Sequence, residues 1–343
     1  MTSKDSSTTQ CLGVIIVDRV GLIAIGRNEG ERLRQCLTSA IAQASHVLYV
    51  DSGSTDHSLD IARSLGVSVV SLDLSIPFTA ARARNAGFEQ LLKSVPNLDY
   101  IQFIDGDCEL VQGWIEQAVR VLDEQPSLAV ACGRRRERYP DESVYNKLCD
   151  LEWDTPIGET NACGGDALVR VTAFNQVNGF NPTLIAGEEP ELCVRLRQKG
   201  WRIFRIDADM TLHDAQMYNV GQWWRRFQRA GHAYAEGAWL HGQLPERHWV
   251  KESYSIWIWG LAVPIVSLSL IFYTQGLSLL LLSLYPLCIY KIYRYGQQHG
   301  FKRRDAVLYA TSCVLGKFPG VQGQLIFHWN RLTGRSKQII EYK

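Results

Sequence analysis

The sequence predicts an α/β fold, a mostly parallel sheet flanked by helices, followed by an α-helical membrane-associated region. Three observations point there. Four short apolar runs alternate with stretches whose apolar residues recur at spacings of three and four. Polar clusters close three of the runs: Asn28/Glu29, Asp51/Ser52 and Asp105/Asp107. From Tyr254 onward the composition turns apolar, with basic flanks. Crossovers between parallel strands are right-handed, so the carboxyl ends of all four strands fall on one edge, where open α/β sheets bind ligands.

Residues 1–19 read as a loose N-terminal tail. Val20–Ile25 is a buried strand that breaks at Gly26-Arg27-Asn28-Glu29-Gly30, and Leu33, Leu37, Ile41 and Ala44 then mark a helix face. Val47–Val50 is the second strand, and Leu59, Ala62 and Leu65 mark the second helix. Val67–Leu72 is the third strand, and Thr79–Val95 is a helix holding Arg82, Arg84, Asn85 and Gly87. Arg82 reads as a solvated neighbour of Arg84. Tyr100–Ile104 is the fourth strand. Further on, Arg134-Arg135-Arg136 reads as a solvated or membrane-facing patch. A catalytic domain is expected over residues 20–245 and a membrane-associated region over residues 250–343.

The totals exclude several classes. A net charge of +1 gives no bulk electrostatic case for nucleic acid. The nine cysteines form no C-x-x-C pair, so free thiols in a reducing compartment are expected rather than a zinc site or a disulfide frame. The first ten residues are polar and lack the apolar core of a signal peptide, so the N-terminal part is expected in the cytosol. No G-x-G-x-x-G or G-x-x-x-x-G-K-[ST] is present, which argues against a Rossmann dinucleotide site or a P-loop.

The stretch that organises the rest is Tyr100–Leu110, where the fourth strand stops at Asp105-Gly106-Asp107. Extended residues i and i+2 point to one side, so both carboxylates can face one point. Hard divalent cations take oxygen ligands and sit on one or two carboxylates plus substrate phosphates. A metal and diphosphate site is the sharp reading, and an Asp-Gly turn is the plain one.

The run AIGRNEGERL…VLYVDSGSTDHS…AARARNAGFEQ…YIQFIDGDCEL resembles the N-terminal half of the inverting GT-A-fold nucleotide-sugar glycosyltransferases of the family-2 type. Asn161–Ala167 and Val177–Asn181 look like that family's acceptor-side loop, and Gly187-Glu188-Glu189-Pro190-Glu191-Leu192 looks like its base-bearing motif. The likeness covers about residues 20–240. It implies the following roles. Asp51 bonds the nucleotide base, with Asn28, Glu29 and Ser52 in the same pocket; Arg27 stands where the family usually has an aromatic residue. Arg84 pairs with a phosphate. Asp105 supports the ribose or the metal, and Asp107 ligates the metal, an Mn²⁺ or Mg²⁺ ion. His213 is a third metal ligand or a diphosphate contact. Arg225 and Arg226 neutralise the leaving nucleoside diphosphate, although the same stretch suits an amphipathic helix at a membrane surface. Gly165 and Asp166 face the acceptor. Glu189 is the general base, with Glu188 as second choice; both open a helix, with Pro190 in its first turn.

At the C-terminal end, Ile256–Tyr273 is uncharged and long enough to cross a membrane, and Leu277–Tyr290 is a second, shorter leg. Arg247, Lys251, Lys291, Arg294 and Lys302–Arg304 flank them, which keeps both ends cytosolic. The hairpin spans, re-enters or lies on the bilayer. Ala306–Trp329 reads as an interfacial piece, and Arg331–Lys343 as a basic tail for anionic lipid. The expected function is sugar transfer from a nucleotide-diphosphate donor to a lipid-linked or cell-surface polysaccharide acceptor, at the cytosolic face of the cytoplasmic membrane. Nucleotidyl transfer and a non-catalytic membrane scaffold that kept the fold stay open beside it.

Overall fold

The computed structural model of the chain describes residues 18–335 and 339–341. The expected N-terminal tail falls, apart from its last two residues, outside the described residues, as does part of the basic C-terminal tail. The first half alternates as expected: β1 (Val20–Gly26), α1 (Glu31–Ile41), β2 (His46–Asp51), α2 (Ser58–Ser64), β3 (Ser68–Ser71), α3 (Ala80–Ser94) and β4 (Tyr100–Asp105). Then come β5 (Cys108–Leu110), α4 (Trp114–Glu124), β6 (Leu128–Glu137), α5 (Val144–Trp153), β7 (Gly158–Glu159), β8 (Ala167–Arg170), α6 (Val171–Gln176), α7 (Glu188–Gln198) and β9 (Arg202–His213).

Among the described residues the strands form one nine-stranded sheet in the order β3-β2-β1-β4-β8-β6-β9-β5, with β7 on β9. β1 to β4 are parallel, and β8 runs antiparallel to both β4 and β6. The register sets Gly26 opposite Asp51 and Ile25 opposite Asp105, so the polar ends of β1, β2 and β4 share one edge. Leu22, Ile23, Ile101 and Phe103 are buried on both faces of the sheet. Each such side chain contributes roughly 1.5–3 kcal/mol of transfer free energy.

The helices dock by short apolar stripes. In α1 the buried set is Leu33, Cys36, Leu37 and Ala40. Ile41, expected on that face, is 37% exposed because the stripe has rotated past it. In α3, Thr79 caps the N-terminus by accepting from Arg82 N, and the R-N-x-G stretch divides its work. Arg84 is buried among carboxylates, and Asn85 clamps the 178–181 loop through paired bonds with the Phe180 backbone. Gly87 lets the helix lie on the sheet, since a Cβ there would sit 2.5 Å from Ile23. Arg82 is not merely solvated: its guanidinium donates to the carbonyls of Asp73, Ile76 and Pro77 and holds that loop.

The C-terminal region comprises α8 (Val220–His241), α9 (Val250–Trp257), a π-helical turn (Ile258–Ala262), α10 (Val263–Ser269), a 3₁₀ segment (Leu277–Ser283), α11 (Leu284–Gln298), α12 (Arg303–Leu315) and α13 (Lys317–Thr333). The first leg of the expected hairpin is interrupted by the π turn. Ile256 is buried there, beside Gly320 of α13. Among the described residues the stretch long and apolar enough to cross a membrane is instead Leu277–Gln298, which is almost wholly unburied. Within residues 306–329, expected as an interfacial piece, α13 packs one face along α8, and Gly231, Gly320 and Gly323 let the backbones touch. Of Arg134–Arg136, near the end of β6, each pairs with an aspartate; Arg134 and Arg136 stay at the surface, whereas Arg135 turns inward onto buried Asp166.

Candidate active site

A cleft of about 1050 Å³ opens at the carboxyl edge of β1 and β4. Its lining includes Asn28, Glu29, Ser52, Arg84, Asp105, Asp107, Glu188, Glu189, His213 and Arg226 of the sequence-predicted set. Asp51, Gly165, Asp166 and Arg225 are not in that lining.

The nucleotide-side loops are tied to each other. Asp51 is buried; its carboxylate accepts from the backbone N–H groups of Gly53 and Ser54, both at 2.9 Å, and from the Tyr49 hydroxyl at 3.1 Å. It anchors the turn after β2 rather than facing the cleft. Asn28, at φ 58°, accepts from Thr55 N at 2.7 Å and donates its own N–H to Ser54 Oγ at 2.9 Å. Arg27 stacks on Phe78, 4.8 Å from the ring centroid, and pairs with Glu341 at 3.0 Å. An aromatic platform thus reaches the pocket from Phe78.

Behind the edge lies a charge network. Arg84 donates to Asp105 Oδ1 at 2.7 Å and to Glu188 Oε1 at 2.9 Å, and Glu189 Oε1 lies 3.8 Å away. Arg84, expected on a phosphate, is held here by carboxylates. Arg135 bridges Asp105 at 3.3 Å and Asp166 at 2.8 Å. Asp166, expected on the acceptor side, is fully buried because β8 runs antiparallel beside β4; it accepts from Asp105 N, Arg135 and Thr211 Oγ1. Arg225 is exposed on the other face of α8, and Arg226 pairs with Glu152 at 2.5 Å.

Asp105 and Asp107 both line the cleft but lie against different groups. Asp105 belongs to the arginine network, whereas Asp107 Oδ2 lies 3.3 Å from His213 Nε2. Pairing of Cys108 with His213 across β5 and β9 puts them there. His213 Nδ1 lies 3.4 Å from Glu137 Oε2, and burial pushes the imidazole pKa below its ordinary value, so the neutral ring is favoured. With Nδ1–H donating to Glu137, the Nε2 lone pair faces the Asp107 carboxylate. A carboxylate-backed imidazole beside a second carboxylate fits a divalent cation. Ligand atoms of Asp107, Cys108 and His213 all lie within 4.8 Å of one another. Burial holds the Cys108 thiol protonated, so it is the weak member. The other acidic group, Asp105, Cys108 and Asp166, faces two guanidinium groups, which oppose a cation.

α7 starts at Glu188, behind Gly187 in the left-handed region at φ 78°. Glu188 is taken up by Arg84. Glu189 lines the cleft with its pKa pushed up to about 7, chiefly by burial and then by the neighbouring Glu188. Gly165 passes between the two halves of the site: a Cβ there would lie 2.9 Å from both Asp105 Oδ2 and Glu189 Oε1. Sequence reading missed Arg135 and Glu137 in the site. The apolar run Leu128–Cys132 before R-R-R-E was the available signal that a strand delivers them.

Residues 23–175 match the model of glycosyl transferase family 2, and residues 149–219 match that of the N-terminal domain of galactosyltransferase. Over residues 23–175 the chain resembles the family-2 glycosyltransferases, and it has the GT-A fold. Among its relatives, glycosyltransferase AglE of Haloferax volcanii is 25% identical over 204 residues, 56% of this chain and 65% of that protein. Succinoglycan biosynthesis protein ExoA of Rhizobium meliloti is 25% identical over 209 residues, 57% of this chain and 61% of that protein. The chain thus spans less than two thirds of either relative. A mannosyltransferase from Pyrobaculum calidifontis, solved with GDP-Man and Mn²⁺, superposes with a TM-score of 0.62 at 16% identity, over 91% of this chain and 88% of that one. At that identity the likeness concerns the fold. The match over residues 23–175 favours glycosyl transfer over the two readings left open by the sequence.

Proposed function

We propose that the chain transfers a sugar with inversion from a nucleotide-diphosphate sugar to an acceptor hydroxyl, with Glu189 as the general base. One observation carries this reading: a cleft-facing carboxylate, raised to about 7, at the start of α7. Inversion needs one base and no covalent nucleophile. The ionised Glu189 takes the acceptor proton as the acceptor oxygen attacks the anomeric carbon, and the bond from that carbon to the diphosphate oxygen breaks. A base whose pKa lies near the working pH combines availability with driving force. Glu188 serves as a positioning residue through Arg84. Asn28, Glu29 and Ser52 form the nucleotide wall, with Arg226 on the diphosphate side. Asp107 and His213 would hold an Mn²⁺ or Mg²⁺ ion, backed by Glu137; such an ion supplies positive charge to the leaving diphosphate.

The site faces the cytosol of a membrane-attached enzyme in this reading, and the acceptor is a lipid-linked or cell-surface polysaccharide precursor. Support comes from the apolar surface after Val263: Phe272 is 91% exposed, Tyr273 88%, Leu277 68% and Leu280 67%. A contiguous surface of this kind marks a membrane or partner contact. Lys291, Arg294 and Lys302–Arg304 follow it, as suits anionic headgroups on the cytosolic side. The test incubates full-length protein in detergent with UDP-, GDP- and dTDP-sugars, with Mn²⁺, Mg²⁺ or EDTA, and reads released nucleoside diphosphate. One donor is expected to give a metal-dependent signal that Glu189→Gln removes. No signal, together with no nucleotide binding by calorimetry, would sink the reading.

A further inference from the structure

At about 1050 Å³ the cleft is at the upper end of the roughly 300–1,000 Å³ of ligand sites, and its lining extends beyond the sheet edge. Its remaining wall comes from the C-terminal helices: Arg226 and Arg229 of α8, Ile256 of α9, Tyr309 and Cys313 of α12, and Lys317 of α13. The helix contacts at Gly231/Gly320 and Gly323/Gln228 are backbone to backbone, so this wall is a fixed surface. Lys317 is only partly exposed and forms no ion pair with any described residue. Its backbone carbonyl abuts Gly260 in the π turn, which leads directly into α10 and the exposed apolar hairpin. A half-buried ammonium therefore stands where the reaction cleft meets the apolar surface. Burial lowers the Lys317 pKa, and an anionic ligand would offset that cost.

We propose that Lys317 is the acceptor-phosphate subsite, and that the acceptor is an amphiphile: a phosphate-linked glycan on a long hydrocarbon chain. Lys317 Nζ donates to the phosphate oxygens, the chain lies on the apolar face from α10 to α11, and the glycan hydroxyl reaches toward Glu189. The proposal rests on the glycosyl-transfer reading and deepens it. It separates the cations by task, with Arg226 on the donor diphosphate and Lys317 on the acceptor.

Binding to full-length protein in neutral detergent tests it, with four probes: a C15 isoprenyl phosphate, the matching C15 alcohol, inorganic phosphate, and UDP or GDP with Mn²⁺. The isoprenyl phosphate is expected to bind about tenfold more tightly than the alcohol, also under saturating nucleoside diphosphate. Lys317→Gln should remove most of that preference and Lys317→Arg should keep it, with nucleoside diphosphate affinity unchanged within about twofold in both. Equal binding of phosphate and alcohol, an unaltered preference in Lys317→Gln, or equal competition by inorganic phosphate would overturn the subsite. If nucleotides bind while the lipid preference is absent, only this inference falls. If the lipid phosphate binds through Lys317 and no nucleotide binds, the subsite stands and the donor reading falls.

Discussion

Asp105 and Glu189 face each other across the backbone of Gly165, close enough that one methyl group on that glycine would touch both carboxylates at 2.9 Å. One acid ends β4 and the other opens α7, so residues 84 positions apart in the chain meet at a single backbone atom. Arg84 and Arg135 keep the pair from repelling each other apart.

Gly165→Ala should therefore remove activity without unfolding the protein. The added Cβ would also sit 3.1 Å from Arg135 Nη2, so the side chains that must give way are the ones that set the site. Turnover is expected to fall more than about tenfold, while the melting temperature changes by only a few degrees, roughly the effect of 1 kcal/mol. Paired activity and melting measurements check this; unimpaired turnover would remove Glu189 from the reaction.

The Glu189 carboxyl, at about 7 against an ordinary 4.5, makes the pH dependence specific. Turnover should rise through pH 7 as the base ionises, and Glu189→Gln should lower it by about 10²–10⁴-fold above pH 7, by progressively less below it, and remove that rise. Stability runs the other way. Below 4.5 the group is protonated in the folded and unfolded chain alike and costs nothing; above 7 it is charged in both, and the burial cost is fully present. Glu189→Gln is thus expected to raise the melting temperature more at pH 8 than at pH 5, read by calorimetry at both.

Metal binding should depend on Asp107, His213 and the residue behind them. Asp107→Asn and His213→Ala are expected to abolish measurable Mn²⁺ binding. Glu137→Gln, which loses the carboxylate beside His213 Nδ1, should weaken binding by about 10–100-fold. Electron paramagnetic resonance of free Mn²⁺ gives the affinities directly, and Asp105→Asn serves as the comparison that should weaken binding less.

Arg135→Met should destabilise the fold strongly. It leaves fully buried Asp166 and its neighbour Asp105 with one guanidinium fewer. Breaking a buried pair costs about 3–5 kcal/mol, or roughly 5–15 °C in melting temperature. Arg134→Met, at the exposed pairs with Asp207 and Asp209, should shift it by no more than about 1 kcal/mol. Thermal melts of the two variants make the contrast.

Replacing Phe272, Tyr273, Leu277 and Leu280 together by serine should release the protein from vesicles containing anionic lipid. Flotation measures it, and undiminished binding would show that attachment lies elsewhere.

The four-strand α/β core, the D-G-D edge and the acidic start of α7 were legible because each is local. Apolar runs of strand length, a Thr79 cap and a proline in the first turn depend only on near neighbours. The tertiary structure decided which acids share a point. A two-residue spacing put Asp105 and Asp107 on one side, yet sheet pairing gave Asp107 to His213 and Asp105 to Arg84 and Arg135. Arg134–Arg136 looked like a surface patch because charge reads as exposure; placing β6 between β8 and β9 set Arg135 against Asp166. Gly316, Gly320 and Gly323 are where α13 meets α8, a property of the partner helix that the segment's own sequence does not carry. Local periodicity thus fixed the elements, whereas long-range pairing in a low-dielectric interior fixed the site.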